Sequence, residues 1–241
     1  MANHALATLE TALRAKKLDR TLTTALPPFE RYVAATGATG LDTCLRGGFP
    51  RGELSEIAGP ASSGRTTLAL QTIAAATQRG ELAAFVDTFD RLDVASAVAA
   101  GIDLDRMLWI RGTWRPVSAG PDTTIDRALK ALNLVLQAGG FGCVILDLAD
   151  TPLIALRRLP FTTWLRIQRV VEGRDTACVL LTPQPLARSA GGLTLSLTAR
   201  ARWTGEADRN RHLTGADVAV RIVSPRRRID GNVALSAHVA H

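Results

Sequence analysis

The chain has 241 residues, of which 46% are apolar and 21% are charged, and its formal net charge is +7. The apolar fraction excludes a disordered chain, and the positive charge favours an anionic partner such as nucleic acid or an acidic protein surface. The three cysteines are far apart, the four histidines lack metal-ligand spacing, and no apolar run reaches the ~18 residues that a membrane span needs. We therefore expect a cytoplasmic protein without membrane contact, whose thiols are buried and reduced.

The first segment has its own pattern. Leu6, Leu9 and Leu13 recur at helical spacing, which predicts a short helix with one apolar stripe. Pro27 and Pro28 then interrupt helix formation and indicate a linker. We predict that residues 1–37 form an N-terminal interaction arm and that residues 38–241 form the core.

From about residue 41, short apolar runs alternate with amphipathic ones. Strands are predicted at 54–59, 82–87, 107–112, 141–147 and 176–182. Helices are predicted between them, the first from the loop 59–67 to about residue 78 and the others at 91–101, 123–140 and 160–173. After Gly192 the period changes to two, which predicts antiparallel strands at 193–203, 217–223 and 231–241. The expected fold is α/β: a mostly parallel twisted sheet covered by helices, with antiparallel strands at the C-terminal edge.

The stretch GPASSGRTT, residues 59–67, differs by one residue from the phosphate-binding pattern G-x-x-x-x-G-K-[ST], because Arg65 stands at the lysine position. In such a loop glycines let backbone N–H groups converge on phosphate oxygens at a helix N-terminus. Arginine keeps the charge, but its planar fork would fill the space of the β- and γ-phosphates. The predicted, degenerate nucleotide site comprises Gly59, Ser62, Ser63, Gly64, Arg65, Thr66 and Thr67.

Asp147 ends the apolar run CVILD, at the tip of a predicted buried strand. A carboxylate that orients Mg²⁺ belongs at this place in a phosphate-loop protein. Thr66 and Asp147 are therefore the predicted metal ligands if a Mg²⁺–nucleotide complex binds.

Residues 40–93, from GLDTCLRGGFPRGELSEIAGPASSGRTT to FVDTFDRLD, resemble the ATP-binding core of the RecA recombinases. A looser likeness covers roughly 38–236. The resemblance implies a RecA-like fold and assigns Asp93 to the adenine contact. It also places Phe89 where the recombinases have the glutamate that polarises water, and it matches their DNA-binding loops to the altered segments ADTPLIALRRLPF and PQPLARSA. It thus implies no ATP turnover and, at most, weak binding of ATP and Mg²⁺.

A short RecA-like chain with a damaged ATPase site is similar to the ImuA proteins. That resemblance implies a role in DNA damage, the SOS response and error-prone translesion synthesis, with an ImuB-like Y-family polymerase homologue as partner and further contacts with RecA and DNA. The candidate partner or DNA contacts are Leu6, Leu9, Leu13, Arg157, Arg158, Arg226, Arg227 and Arg228. For the arginines, a solvated helix face or a basic turn stays open as an alternative. For the leucine stripe, packing against the chain's own core stays open as well.

Three functions remain open on the sequence. The first is a non-catalytic adaptor, the second is a compact DNA-dependent ATPase or recombinase, and the third is an inhibitor of RecA-type or division-protein polymerisation. Phe89 and the short loops disfavour the ATPase or recombinase. Nothing in the sequence separates the first from the third.

Overall fold

The computed structural model describes residues 33–112, 121–187, 191–205, 211–224 and 232–238. All of them lie within one compact unit, residues 32–241. The predicted contacts Leu6, Leu9, Leu13, Arg226, Arg227 and Arg228 lie outside the described residues, so they stay predictions.

A small N-terminal element precedes the main sheet. Strands β1 (Val33–Ala34) and β2 (Phe49–Pro50) pair antiparallel, and helix α1 (Thr39–Leu45) lies between them in the chain. Arg46 and Gly47 end α1 by donating backbone N–H bonds to Thr43 and Asp42. Phe49 and Ala34 are fully buried, so this pair forms part of the core's edge.

The main unit alternates strands and helices as the sequence predicts, except that an unpredicted short helix, Leu153–Arg158, precedes the helix predicted at 160–173. Its parallel part contains β3 (Leu54–Ala58), α2 (Arg65–Gln78), β4 (Leu82–Asp87), α3 (Val94–Ala99), β5 (Met107–Arg111), α4 (Pro121–Ala138), β6 (Phe141–Asp147), α5 (Leu153–Arg158), α6 (Phe161–Val171) and β7 (Ala177–Thr182). Three longer strands follow, β8 (Thr194–Thr204), β9 (His212–Ser224) and β10 (Asn232–His238).

Within the described residues, eight strands form one sheet in the order β10-β9-β8-β3-β7-β6-β4-β5. The pairs from β8 to β5 are parallel, and β9 and β10 are antiparallel, which confirms the predicted fold class. The prediction was incomplete for β8. Its first residues pair in parallel with β3, as Glu56 opposite Thr194 shows, while its length pairs antiparallel with β9. The alternating pattern of β8 reflects its antiparallel pairing with β9 and does not indicate its parallel pairing with β3.

The sheet has an apolar core on each face. On one face, Ile57, Phe85 and Ile145 pack with Leu68 and Ile73 of α2. On the other, the alternate residues of the same strands pack with α4 and α6; these include Leu54, Val86, Leu146, Leu132, Trp164 and Ile167. Burial on both faces explains why the central strands are almost uniformly apolar.

The parallel arrangement fixes where polar groups gather. The carboxyl ends of β3, β4, β6 and β7 meet at one edge of the sheet, and these ends are Ala58, Asp87, Asp147 and Thr182. Ligands of open α/β sheets bind outside such strand ends. None of the described helices is both long enough and apolar enough to cross a membrane.

Candidate nucleotide site

The loop between β3 and α2 keeps the backbone geometry of a phosphate-binding loop. Ser62 and Gly64 have φ angles of 58° and 88°, which places both in the left-handed region that favours glycine. A Cβ added at Gly59 would lie 2.5 Å from the Leu197 carbonyl oxygen, so a larger residue does not fit there. Helix α2 begins at Arg65, directly after the loop. The backbone therefore presents a helix N-terminus of the kind that binds anions.

The hydroxyl groups of the loop differ in their surroundings. Ser62, Thr66 and Thr67 are exposed at the start of α2, whereas Ser63 is buried. The Ser63 Oγ has no hydrogen-bond partner among the described residues. An unpaired buried hydroxyl is costly, so this atom fits a loop that accepts an anion beside the backbone N–H groups.

Arg65 is only 7% exposed and points into the protein. Its Nη1 donates a hydrogen bond of 2.7 Å to the Thr182 carbonyl oxygen at the end of β7. The same oxygen accepts the Gly59 N–H at 3.2 Å. Burial lowers the pKa of the Arg65 guanidinium, while the Asp147 and Asp150 carboxylates oppose this shift. The Arg65 side chain thus connects the loop with the end of β7, and its predicted place in the space of the phosphates stays a prediction.

Asp147 lies where the sequence predicts it, at the end of β6. Its Oδ1 accepts the Ala149 N–H at 2.8 Å. Burial raises the pKa of Asp147 to about 6, and the charges of Asp87 and Asp150 act in the same direction, against the Ala149 bond and Arg65. A cation would favour its ionised form. Among the described residues no group of three or more His, Cys, Asp or Glu is arranged to hold a metal ion.

Asp87, which sequence reasoning missed, organises the turn after β4. Its buried carboxylate accepts the N–H groups of Arg91 and Leu92 at 2.8 and 2.9 Å and the Trp109 Nε1–H at 3.1 Å. Arg91 in turn forms an ion pair with Asp150, with Nε and Oδ2 3.4 Å apart. The sequence contained a signal for Asp87, because this residue ends an apolar strand in the same way as Asp147.

Phe89 and Asp90 lie in this turn, and both are half-buried. Asp90 has a φ of 57° and accepts two hydrogen bonds from Arg111, at 2.8 and 2.9 Å. The Arg111 guanidinium also lies 4.5 Å from the centre of the Trp109 ring. The Asp90 carboxylate is thus engaged by Arg111, and its neighbour Phe89 has no group that could polarise water.

Asp93 forms the N-terminal cap of α3. Its Oδ2 accepts the Ser96 N–H at 2.8 Å and the Ser96 hydroxyl at 2.6 Å. These bonds, first that of the Ser96 side chain, hold the pKa of Asp93 below its usual range. A local helix cap accounts for this residue, and its role as an adenine contact stays a prediction.

Glu56 is a second residue that sequence reasoning missed. It is buried in β3, and its carboxylate accepts the Thr182 hydroxyl at 2.8 Å, the Leu186 N–H at 2.8 and 3.0 Å and the Ala187 N–H at 3.3 Å. Burial raises the pKa of Glu56, against the effect of these bonds. Thr182 therefore bonds to both residues: its carbonyl oxygen accepts from Arg65, and its hydroxyl donates to Glu56. A charged residue inside the apolar run LSEIA was the available signal.

The backbone and the side chains of the site differ in what they could bind. The glycine positions and the buried Ser63 hydroxyl suit an anion. Arg65, in contrast, is bonded to the protein itself, and Phe89 offers no carboxylate. Arg157 and Arg158, the other described candidate contacts, are exposed in the last turn of α5.

Comparison with known proteins agrees with the fold. The RecA N-terminal domain family matches residues 24–154, more than half of the chain. The RecA proteins of Desulforapulum autotrophicum, Clostridioides difficile and Rhizobium leguminosarum are 40%, 37% and 41% identical to it over 116, 116 and 114 residues. These matches cover 48%, 48% and 47% of this chain but only 30%, 30% and 29% of the three relatives. The chain belongs to the RecA N-terminal domain family.

Proposed function

We propose that this chain is a non-catalytic RecA-like accessory protein of the cytoplasmic DNA damage response. In this proposal it supports error-prone translesion synthesis by recruiting or regulating a polymerase complex. The observation that supports it best is the hydrogen bond from Arg65 to the Thr182 carbonyl oxygen. This bond keeps the cation of the phosphate loop inside the protein, so the loop serves the fold rather than a nucleotide.

The turn after β4 supports the same proposal independently. A general base or a water-orienting carboxylate contributes roughly 10²–10⁴ in rate. Phe89 cannot supply it, and the neighbouring Asp90 is held by Arg111. Two separate parts of the site therefore lack what hydrolysis requires.

The partner follows from the resemblance to ImuA. We propose an ImuB-like Y-family polymerase homologue as the main partner, with RecA and DNA as further contacts. The segments offered for these contacts are the stripe of Leu6, Leu9 and Leu13 and the basic run Arg226, Arg227 and Arg228. The RecA relatives match over under a third of their length, so their whole activity is not transferred to this chain.

A second candidate function is a compact DNA-dependent ATPase. It is favoured by the retained loop backbone and by Asp147 at the end of β6. The third, inhibition of a partner's polymerisation, shares the proposed protein contacts and differs only in their consequence. Sedimentation separates the ATPase from the other two, because a recombinase-like protein with two unlike interfaces would form open filaments with ATP.

Co-purification with the ImuB-like polymerase from the same cells tests the proposal. We expect a stable complex with the unmodified chain, and its loss when Leu6, Leu9 and Leu13 are all changed to Glu. The melting temperature should stay nearly unchanged, because the arm is predicted to bind a partner rather than the core. Long ATP-dependent filaments, or unfolding of the triple variant, would instead favour the recombinase.

A further inference from the structure

Helix α6 presents large apolar side chains to solvent. Trp164, Ile167 and Val171 face the core and are buried. Phe161 and Leu165, one helical turn apart on the outer side, are 50% and 43% exposed. Since a helix of a globular protein normally has polar residues on its outer side, this face differs from the usual pattern.

The rest of the outer face is basic. Arg166 and Arg169 are exposed on α6, and Arg157 is exposed on α5, which ends three residues before α6 begins. None of these three arginines forms an ion pair with another described residue. The sequence from 151 to 171 contains no Asp or Glu. These charges are therefore not neutralised by their own segment.

Helix α5 also has an exposed apolar side chain close to exposed arginines. Ile154, one helical turn before Arg157 and Arg158, is 66% exposed, whereas Ala155 and Leu156 are buried. We name the set of Ile154, Arg157, Phe161, Leu165, Arg166 and Arg169 the α5–α6 surface. It joins exposed aliphatic and aromatic groups with unneutralised arginines along two consecutive helices.

We propose that the α5–α6 surface binds an acidic segment of a partner protein whose large apolar side chains cover Phe161 and Leu165. Charge complementarity selects the acidic residues, because Arg166 and Arg169 would pair with them. Burial of the apolar side chains supplies affinity, and arginine and aromatic residues commonly dominate protein interfaces.

Nucleic acid explains only half of this surface. Phosphate contacts use cations, polar side chains and backbone N–H groups. Exposed Ile154 and Leu165 provide none of these and would stay in water beside a phosphate backbone. The inference rests on the proposed adaptor role and adds to it the chemistry of the bound partner segment.

A fluorescence-anisotropy titration of the full chain tests this inference. The probe is a labelled helical peptide with Leu at i, i+3, i+4 and i+7 and Glu between. Comparison probes have Lys in place of Glu or Ser in place of Leu, and labelled oligothymidylate represents nucleic acid. We expect saturable binding of the Leu/Glu peptide and at least tenfold weaker binding of the others.

Two double variants locate the contact. Phe161→Ser with Leu165→Ser, and separately Arg166→Glu with Arg169→Glu, should each weaken peptide binding at least tenfold. Leu134→Ser, at a residue 66% exposed on α4, and Arg127→Glu on the same helix are the matched controls and should change nothing. Circular dichroism verifies that every variant is folded.

Several results would overturn the inference: no saturable binding, equal or tighter binding of oligothymidylate or the Lys peptide, or equal losses in variants and controls. The proposed function fails differently. Peptide binding without polymerase co-purification would contradict only the translesion role. Co-purification without peptide binding would contradict only the α5–α6 surface.

Discussion

The phosphate loop and the turn after β4 lie at the same edge of the sheet but differ in what their groups could do. The loop, residues 59–64, retains the glycines and left-handed angles that a phosphate requires. The turn, residues 87–93, is also well ordered by hydrogen bonds, which run to Asp87 and from Arg111 to Asp90. Phe89 in this turn has no carboxylate, and the proposed function places the missing water-orienting group there.

The difference shows that an anion-binding backbone and a catalytic site depend on different features. The backbone conformation of the loop is determined by its glycines and by the start of α2. Because the loop also connects β3 with α2, the fold requires this conformation whether or not an anion binds. Catalysis depends on individual side chains. In this chain Arg65 and Asp90 both bond to other groups of the protein.

The largest effect on the free energy of unfolding is expected from removing the Glu56 carboxylate in β3. Glu56→Ala leaves the Thr182 hydroxyl and the N–H groups of Leu186 and Ala187 without their acceptor. Each unpaired buried group costs about 1–3 kcal/mol, and partial hydration reduces the sum, so we expect a loss of about 2–4 kcal/mol. Urea unfolding measures it, with the exposed Glu172→Ala as control. A loss no larger than the control's would show that this support is unimportant.

Asp147→Asn should have an effect of opposite sign. Because burial raises the pKa of Asp147 from 3.8 to about 6, ionisation destabilises the folded state, and this penalty develops as the pH rises through that range. The amide keeps an oxygen for the Ala149 N–H. We expect the variant to be more stable by about 1–3 kcal/mol at neutral pH and equal to the parent in acid.

Thermal unfolding across the pH range checks this difference, with the exposed Asp126→Asn as control. A variant that is less stable than the parent at neutral pH would mean that the Asp147 carboxylate has a compensating cation. In that case the loop and the end of β6 would still form a working metal site.

A smaller effect is expected for Arg65→Lys. Lysine is a compact donor that reaches a phosphate without the width of the guanidinium, and it frees the Thr182 carbonyl oxygen from Nη1. Affinity for the Mg²⁺–ATP complex should rise at least tenfold, or about 1.4 kcal/mol. Titration calorimetry measures this, and Arg106→Lys is the control, since Arg106 also donates to a backbone oxygen, that of Gly80. Tight ATP binding by the unmodified protein would contradict this prediction, because it would show that Arg65 does not hinder the nucleotide.

The strand and helix pattern was predictable because the parallel strands are apolar on both faces and because a glycine follows within two residues of the end of every described α-helix except α5. The position of Asp147 at a strand end was predictable for the same reason. The direction of the Arg65 side chain was not, because its acceptor lies 117 residues later in the chain. The bonds of Glu56 to Leu186 and Ala187 and the parallel pairing of β8 with β3 are likewise long-range. Local periodicity contains no information about such contacts.

Phosphate release from Mg²⁺–ATP, measured with single-stranded DNA and beside an active RecA protein, tests the central claim most directly. The changes at Arg65 and Phe89 predict release at least ~10²-fold below that of RecA, indistinguishable from a sample without protein. Release at the rate of RecA, stimulated by DNA, would contradict the account and identify the chain as a compact DNA-dependent ATPase.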